Sequence, residues 1–427
     1  MREKMRMSRV EQKVVEFIEK YVNVLFFIIV SLLGIYVRYA GRDVLSGDMA
    51  ECLQPWFDSI KQAGGVKALK YQVGDYNVLY QTCIAFMTYF KGNSMYIFKI
   101  FSVIFDFIVA FLSAWMMSDM LSKKKFSTLF NIVYTVVLFL PTVVLNGAYW
   151  GQCDAIYTAF LILTLYYLYK EKYVGAFVFL GIAFGFKFQA VLLLPFIICY
   201  YIYKKRFSIF MFLITAVVFW ATGIVAFING RGLMEPFKIY MSQTKTYESM
   251  YMNVSSIWVL VGNDYKNLKS FAIQLTIVLC GVGLYMIMTK RKKLDTAEQY
   301  LNTAAWFAWV CILFLPAMHE RYTFSLDLLL VLLCFMDVKY IKYAATSTTL
   351  SLITYGAFLF GNGGIDKWFV ILYMIAFGHY TYTIMKQDWC EVVNESAKEE
   401  LEEELDEELD EELETEDESL EELSFEE

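Results

Sequence analysis

Apolar runs of membrane-spanning length alternate with short basic or polar breaks along most of this chain. About 20 helical residues cross the roughly 30 Å hydrocarbon core of a bilayer, so such runs predict transmembrane helices. Residues 1–20 carry Arg2, Lys4, Arg6, Arg9, Lys13 and Lys20, a cytoplasmic start under the positive-inside rule. The pattern predicts a first span over 21–39 that exits outside, then a long first outer loop over about 40–94. Within that loop, 78–90 is apolar but too short to cross, and reads as an interfacial or re-entrant helix. Residues 95–121 return inside to Lys123-Lys124-Lys125. Residues 126–146 go out, and 155–169 come back to Lys170 and Lys172.

The next apolar stretch, 173–203, has basic residues on both flanks and Lys187 near its middle. It would make roughly 46 Å of helix, long for one span, so two short helices meeting near Lys187 are predicted. Residues 207–228 lead to a second large outer loop over about 229–267, and 268–289 return to Lys290-Arg291-Lys292-Lys293. Two further pairs, 304–316 with 322–336 and 343–360 with 368–385, complete the count. The prediction is an all-α polytopic membrane protein of about 12 helices, with a transmembrane domain over 21–386 and both termini cytoplasmic. No soluble domain, internal repeat or cleavable signal peptide is evident.

Composition agrees: 58% of the 427 residues are hydrophobic and 18% aromatic, above the usage of soluble domains. The net charge of −7 misleads. Residues 396–427 hold 19 acidic residues and one lysine, so the rest of the chain nets +11. That excess lies in the short loops and orients helices; it is no nucleic-acid patch. The tail over 387–427, with Leu401, Leu405, Leu409 and Leu413 among its acids, reads as solvated, self-repelling and partly helical, with docking on a basic partner as the alternative. Eight cysteines form no CxxC pair, although Cys52 and Cys83 both fall on the outer side, where a disulfide is conceivable. Two histidines are too few for a His-based metal site.

The unusual polar clusters all fall on the predicted outer face. Asp48 follows the first span and is a candidate general base, taking an alcohol's proton as a bond forms; the alternative is a helix cap. Trp150, Gln152 and Asp154 suit a sugar, with the aromatic face on a ring and the amide and carboxylate on hydroxyls. The alternative is an aromatic-belt turn. Lys187, with Gln189, lies inside an apolar hairpin, where a charge points to function; a snorkelling lysine is the alternative. His319-Glu320-Arg321 joins a guanidinium fork for phosphate with a histidine donor, and is not a zinc HExxH. No GxGxxG or P-loop occurs, no cytosolic domain is large enough to hold a nucleotide, and nucleotide sugars are scarce outside the cytosol, so a sugar donor is expected to be lipid-linked.

These residues resemble the GT-C class of integral-membrane glycosyltransferases, and more closely the bacterial relatives of the GPI mannosyltransferase II family. Four stretches carry the likeness: Ser46-Gly47-Asp48 with Pro55-Trp56 and Gly64-Gly65; Gly74-Asp75-Tyr76-Asn77; Tyr149 to Tyr157; and Leu315 to Tyr322. Lys187-Phe188-Gln189 is similar to a further family position. The likeness covers roughly residues 20–385. One departure is Asn77-Val78-Leu79, where relatives often have Asn-Pro-Pro.

The resemblance implies a GT-C-like bundle with interfacial helices in the first outer loop, Asp48 as the catalytic carboxylate, a polyprenyl-phosphate-linked sugar donor and inverting transfer. The acceptor would be a glycan, lipid or protein of the cell envelope, and the setting a bacterial plasma membrane with its lipids and no nucleic acid. Lys187, His319 and Arg321 are then expected at the donor phosphate, and Asp75, Tyr76, Asn77, Trp150, Gln152, Asp154, Gln189 and Glu320 at the sugars. No cofactor is expected, and a divalent cation shared by Asp48, Asp75 and Asp154 is the alternative. A lipid-sugar flippase and an inactive scaffold are the competing functions. A flippase would place its ionisable groups at the midplane rather than at one face.

Overall fold

The computed structural model describes residues 8–124, 127–243, 246–361 and 364–386. The acidic tail, Lys125 and residues 1–7 lie outside them, so the expectations made there are not addressed. The described chain is helical apart from one short parallel bridge. The first helix, α1 (Arg9–Ala40), opens on a capping box in which Ser8 and Glu11 satisfy each other's backbone N–H groups. Residues 49–87 fold into a π-helical turn (Met49–Leu53), α2 (Gln54–Gln62), a 3-10 turn (Gly65–Lys70) and α3 (Val78–Met87), the last a short helix where the apolar run over 78–90 predicted one. Then come α4 (Ser94–Met120), α5 (Thr128–Leu138) and α6 (Pro141–Trp150), with α6 bent 53° from α5. The bend is Pro141, which cannot continue a helix and leaves Leu140 extended at φ −58°, ψ 121°.

Helices α7 (Asp154–Tyr169) and α8 (Tyr173–Phe186) follow, then α9 (Leu194–Lys204), α10 (Met211–Ala221), α11 (Ile224–Ile228), α12 (Glu235–Gln243) and α13 (Trp258–Val261). The chain closes with α14 (Tyr265–Met288), α15 (Ala297–Phe314), α16 (Phe324–Leu333), α17 (Ile341–Phe360) and α18 (Lys367–Lys386). By length and apolarity four helices reach spanning size, namely α1, α4, α14 and α18, and α5 with α6 makes a fifth if taken as one broken span. Five shorter apolar helices accompany them.

Burial sorts the helices. Every residue of α16 is buried, as is α15 from Gln299 to Phe314, so this pair with α7 forms the centre. In α1 only Val30, Gly34 and Arg38 are buried, while Ile28, Ile29, Leu32 and Leu33 face outward. Outward aliphatic faces of that extent would be costly in water and suit a lipid surround. The break expected near Lys187 is present: Lys187 is extended (φ −153°, ψ 136°) between α8 and a 3-10 turn, Phe188–Leu193. One boundary differs. Helix α15 begins at Ala297, not near 304, because polar residues in its first turns bond inside the bundle: Gln299 completes a capping box with Thr296, and Asn302 donates to Tyr340 Oη at 2.9 Å.

Packing at α6 is tight. A Cβ on Gly147 would stand 2.6 Å from Asp106 Oδ1, and Asp106 Oδ2 holds Arg38 Nε at 2.8 Å in a buried ion pair. Gly147→Ala therefore forces either the helix or the pair aside. Overpacking of this kind costs about 1–3 kcal/mol. The expected outcome is a lowered thermal midpoint of the detergent-solubilised protein; an unchanged midpoint would mean that α6 is free to shift.

Candidate functional site

The polar segments singled out in the sequence converge at one end of the bundle, where α1, α6 and α15 end and α4, α7 and α16 begin. Asp48 heads the π-helical turn, yet its carboxylate does not cap it. Ser46 Oγ does so, accepting the Met49 N–H at 3.2 Å and donating to the Trp150 carbonyl at 3.1 Å. Asp48 Oδ2 instead accepts from Trp150 Nε1 and from Arg321, both at 3.0 Å, and from Gln152 Nε2. These three donors come from two distant segments. The side chain stays 23% exposed, and none of its described bonds falls on Oδ1. Tyr76 donates to Gln152 Oε1 at 2.9 Å, which fixes the amide so that its nitrogen faces Asp48. Gly151, at φ +76°, gives the left-handed exit from α6 that brings Trp150 and Gln152 to the same carboxylate.

A second, deeper ion pair stands beside the first. Lys187 binds Asp154 Oδ1, and Asn146 donates to Asp154 Oδ2 at 2.9 Å; both charged side chains are buried. The Lys187 ammonium lies 5.7 Å from the Tyr157 ring centre and 5.6 Å from that of Tyr322, a partial aromatic cage. Lysine at this depth thus pairs inward and does not snorkel.

Beside these groups, walled also by Tyr240 and Gln243 of α12 and by Tyr247, lies a cavity of about 220 Å³. Asp75, Tyr76, Asn77, Lys187, Gln189 and Arg321 line it, while Asp48, Trp150, Gln152, Asp154, His319 and Glu320 are not in its wall. The loop over 246–257 is tied to the His319 segment by the parallel bridge of β1 (Tyr251–Met252) to β2 (Met318–His319), and Ala317 N–H bonds the Met250 carbonyl at 3.1 Å. This sets Tyr247 edge-on against His319 at 4.8 Å. Asp75 presents a buried Oδ1 with no hydrogen-bond partner, and burial pushes its carboxyl above the usual range.

Three expectations are corrected. Trp150 is no sugar platform: it is fully buried, stacked on Phe358 at 4.4 Å, with Arg321 5.5 Å from its ring. Only its indole N–H faces the site. His319 is not a cation at the phosphate. Burial, aided by Arg321 and Lys187, depresses its imidazole to about 3, so it is neutral near pH 7 and keeps a buried Nε2 without a partner. Asn77 is largely committed elsewhere, its Oδ1 capping α3 through the Val78 N–H at 2.7 Å and its amide donating to the Pro236 carbonyl at 2.9 Å. Cys52 and Cys83 are free thiols. Among the described residues no group of three or more His, Cys, Asp or Glu side chains is arranged to hold a metal ion, and Asp154 is already engaged by Lys187.

Sequence reasoning missed several participants. Tyr247, Tyr355 and Phe358 enclose the site, but among 31 tyrosines and 37 phenylalanines nothing marks them, and Tyr157 ended a motif stretch without a role assigned to it. Asn146 had a usable signal, as a polar residue ending an apolar run. The comparisons add nothing to these assignments: no family model and no curated protein matches the chain.

Glu320 gives the site a pH response. Burial raises its carboxyl to about 7, with Arg321, 3.5 Å away, opposing the rise. The folded value lies above the ordinary 4.5, so its stabilising contribution is complete below 4.5 and is lost as pH rises through about 7. Above that point a second anion also competes with Asp48 for Arg321. Affinity for an anionic ligand is expected to fall as pH rises through neutrality, and Glu320→Gln to flatten the fall. Titrating inorganic sulfate, whose charge is constant across that range, onto both proteins checks this; parallel curves would remove Glu320 as the cause.

Proposed function

We propose that this protein is a membrane glycosyltransferase of the GT-C type. It moves a hexose, mannose-like by family resemblance, from a polyprenyl-phosphate donor to an acceptor hydroxyl on the extracytoplasmic face, with inversion. The observation that carries the reading is the meeting of a carboxylate with one free oxygen and two cations, Lys187 and Arg321, beside a cavity with polar groups in its wall that adjoins an apolar groove. That groove, about 410 Å³ along α9 and α14, shares Ile273 and Leu315 with the cavity. A headgroup in the cavity and a chain in the groove match a lipid-linked sugar.

In this mechanism Asp48 Oδ1 takes the acceptor hydroxyl's proton as the oxygen bonds to the anomeric carbon. The bond from that carbon to the phosphate oxygen breaks on the opposite side, and polyprenyl phosphate leaves with the electron pair. Arg321 and Lys187 stabilise the charge growing on the phosphate. Asp75 and Gln189 hold sugar hydroxyls. The topology of this proposal is the twelve-span one, counting α5 with α6 and α10 with α11 as single broken spans and α7, α8, α9, α15, α16 and α17 as spans beside the longer helices. Both termini are then cytoplasmic, and the membrane is a bacterial plasma membrane.

The test is incubation of the purified, reconstituted protein with a panel of polyprenyl-phosphate hexoses and candidate acceptors, scoring polyprenyl phosphate release together with glycosylated product. Coupled release and product formation support the reading. Movement of lipid-linked sugar across vesicles with no bond broken would replace it with a flippase.

A further inference from the structure

Away from the cavity, with no residue in common, α1 and α4 enclose a second groove of about 500 Å³ that is open on one side. Its lower wall is aliphatic, with Ile100 and Ile104 more than half or half exposed. Its upper wall carries Arg38, Arg42, Lys99 and Tyr96.

The charges there are unequal. Arg38 is matched by Asp106, and Arg42 pairs with Asp43 at 3.0 Å. Lys99 is 4% exposed and has no carboxylate within ion-pair distance among the described residues. Its ammonium donates to the Gly41 and Val44 carbonyls at 2.7 and 2.6 Å, which leaves one of its three N–H groups. Asp43 acts on it only at longer range and is itself held by Arg42 and by Tyr96 Oη at 2.8 Å. A buried cation without a counter-ion is costly unless something anionic completes it.

We propose that this groove is a binding site for an anionic glycerophospholipid. The phosphate sits at Lys99 and Arg42, with Tyr96 beside it, and one acyl chain runs along Ile100 and Ile104. The chemistry fits on both counts: a compact anion where a positive charge is uncompensated, and a long apolar wall open to the lipid. A diacylglycerol would fill the wall but leave Lys99 unmatched, and a zwitterionic lipid would bring its own cation against Arg42 along with its phosphate. Ala148 of α6 forms part of the groove, and two residues further on Trp150 holds Asp48, so a lipid seated here braces the back of the wall that carries the Asp48 clamp. The proposal does not depend on glycosyl transfer.

The experiment is native mass spectrometry of the full-length protein released from nanodiscs of equal parts dioleoyl phosphatidylglycerol and dioleoyl phosphatidylcholine. The wild type is expected to retain phosphatidylglycerol over phosphatidylcholine by roughly tenfold, the scale on which one or two basic groups favour a net anionic lipid over a zwitterionic one. Arg42→Gln, at a half-exposed position, should erode that preference. Ile100→Trp, which fills the aliphatic wall from the lipid side, should lower total retained lipid without touching a charge. Equal retention of the two lipids by the wild type would overturn the proposal. So would unchanged retention in both variants.

Discussion

Asp48→Asn is expected to reduce hexose transfer by about 10²–10⁴-fold, the usual contribution of a positioned general base. Asparagine has the same shape, and its oxygen still accepts from the Trp150 indole and Gln152 amide that now hold Oδ2. What is lost is the negative charge that assists the Arg321 bond to the same oxygen, at a side chain that is 10% exposed. The fold should therefore persist, and the thermal midpoint in detergent should move little. Single-turnover release of polyprenyl phosphate is the measurement to use, because it isolates the chemical step from product release. Residual transfer within about tenfold of wild type would take Asp48 out of the base role. Asp75, with its orphaned Oδ1 in the cavity wall, would then be the next carboxylate to examine.

The parts of this site that were legible in the sequence are those where a charge interrupts an apolar run. Lys187 announced the helix break that the fold contains, whereas its pairing with Asp154 was not legible, because the two stand 33 positions apart and the charge read only as pointing to function. Arg321 and Asp48, 273 positions apart, could be assigned to one face only through loop charge, and they meet at 3.0 Å. The proline bend of α6 was readable in Pro141 but was passed over as a continuous span. Trp150 shows why side-chain roles were harder. An aromatic between polar residues looks the same in a sequence whether its face meets a sugar or another ring, and only the arrival of Phe358 from α17 decides it. The polar start of α15 was taken for loop for a related reason. Hydropathy prices Gln299 and Asn302 as solvent-facing, whereas their partners lie inside the bundle. His319 failed on electrostatics: two cations nearby and deep burial make a neutral imidazole, which adjacency to Arg321 alone does not reveal.

Lys187→Met should be the most destabilising single change at the site. It removes the counter-ion of Asp154, whose carboxylate is completely buried and keeps only Asn146 as a described donor to its other oxygen. Leaving one member of a buried pair costs about 3–5 kcal/mol. The loss should spread to the Asn146–Trp150 turn and thence to the Asp48 clamp. A folding defect and a lost phosphate contact both abolish transfer, so activity alone cannot separate them. The double variant Lys187→Met with Asp154→Asn does. It removes the orphan charge while Asn146 retains an oxygen to bond, so most of the thermal stability should return. If Lys187 also receives the lipid phosphate, transfer stays low in the restored protein and polyprenyl phosphate binds more weakly. Recovery of transfer along with stability would instead confine Lys187 to holding Asp154, and leave Arg321 as the cation that meets the donor.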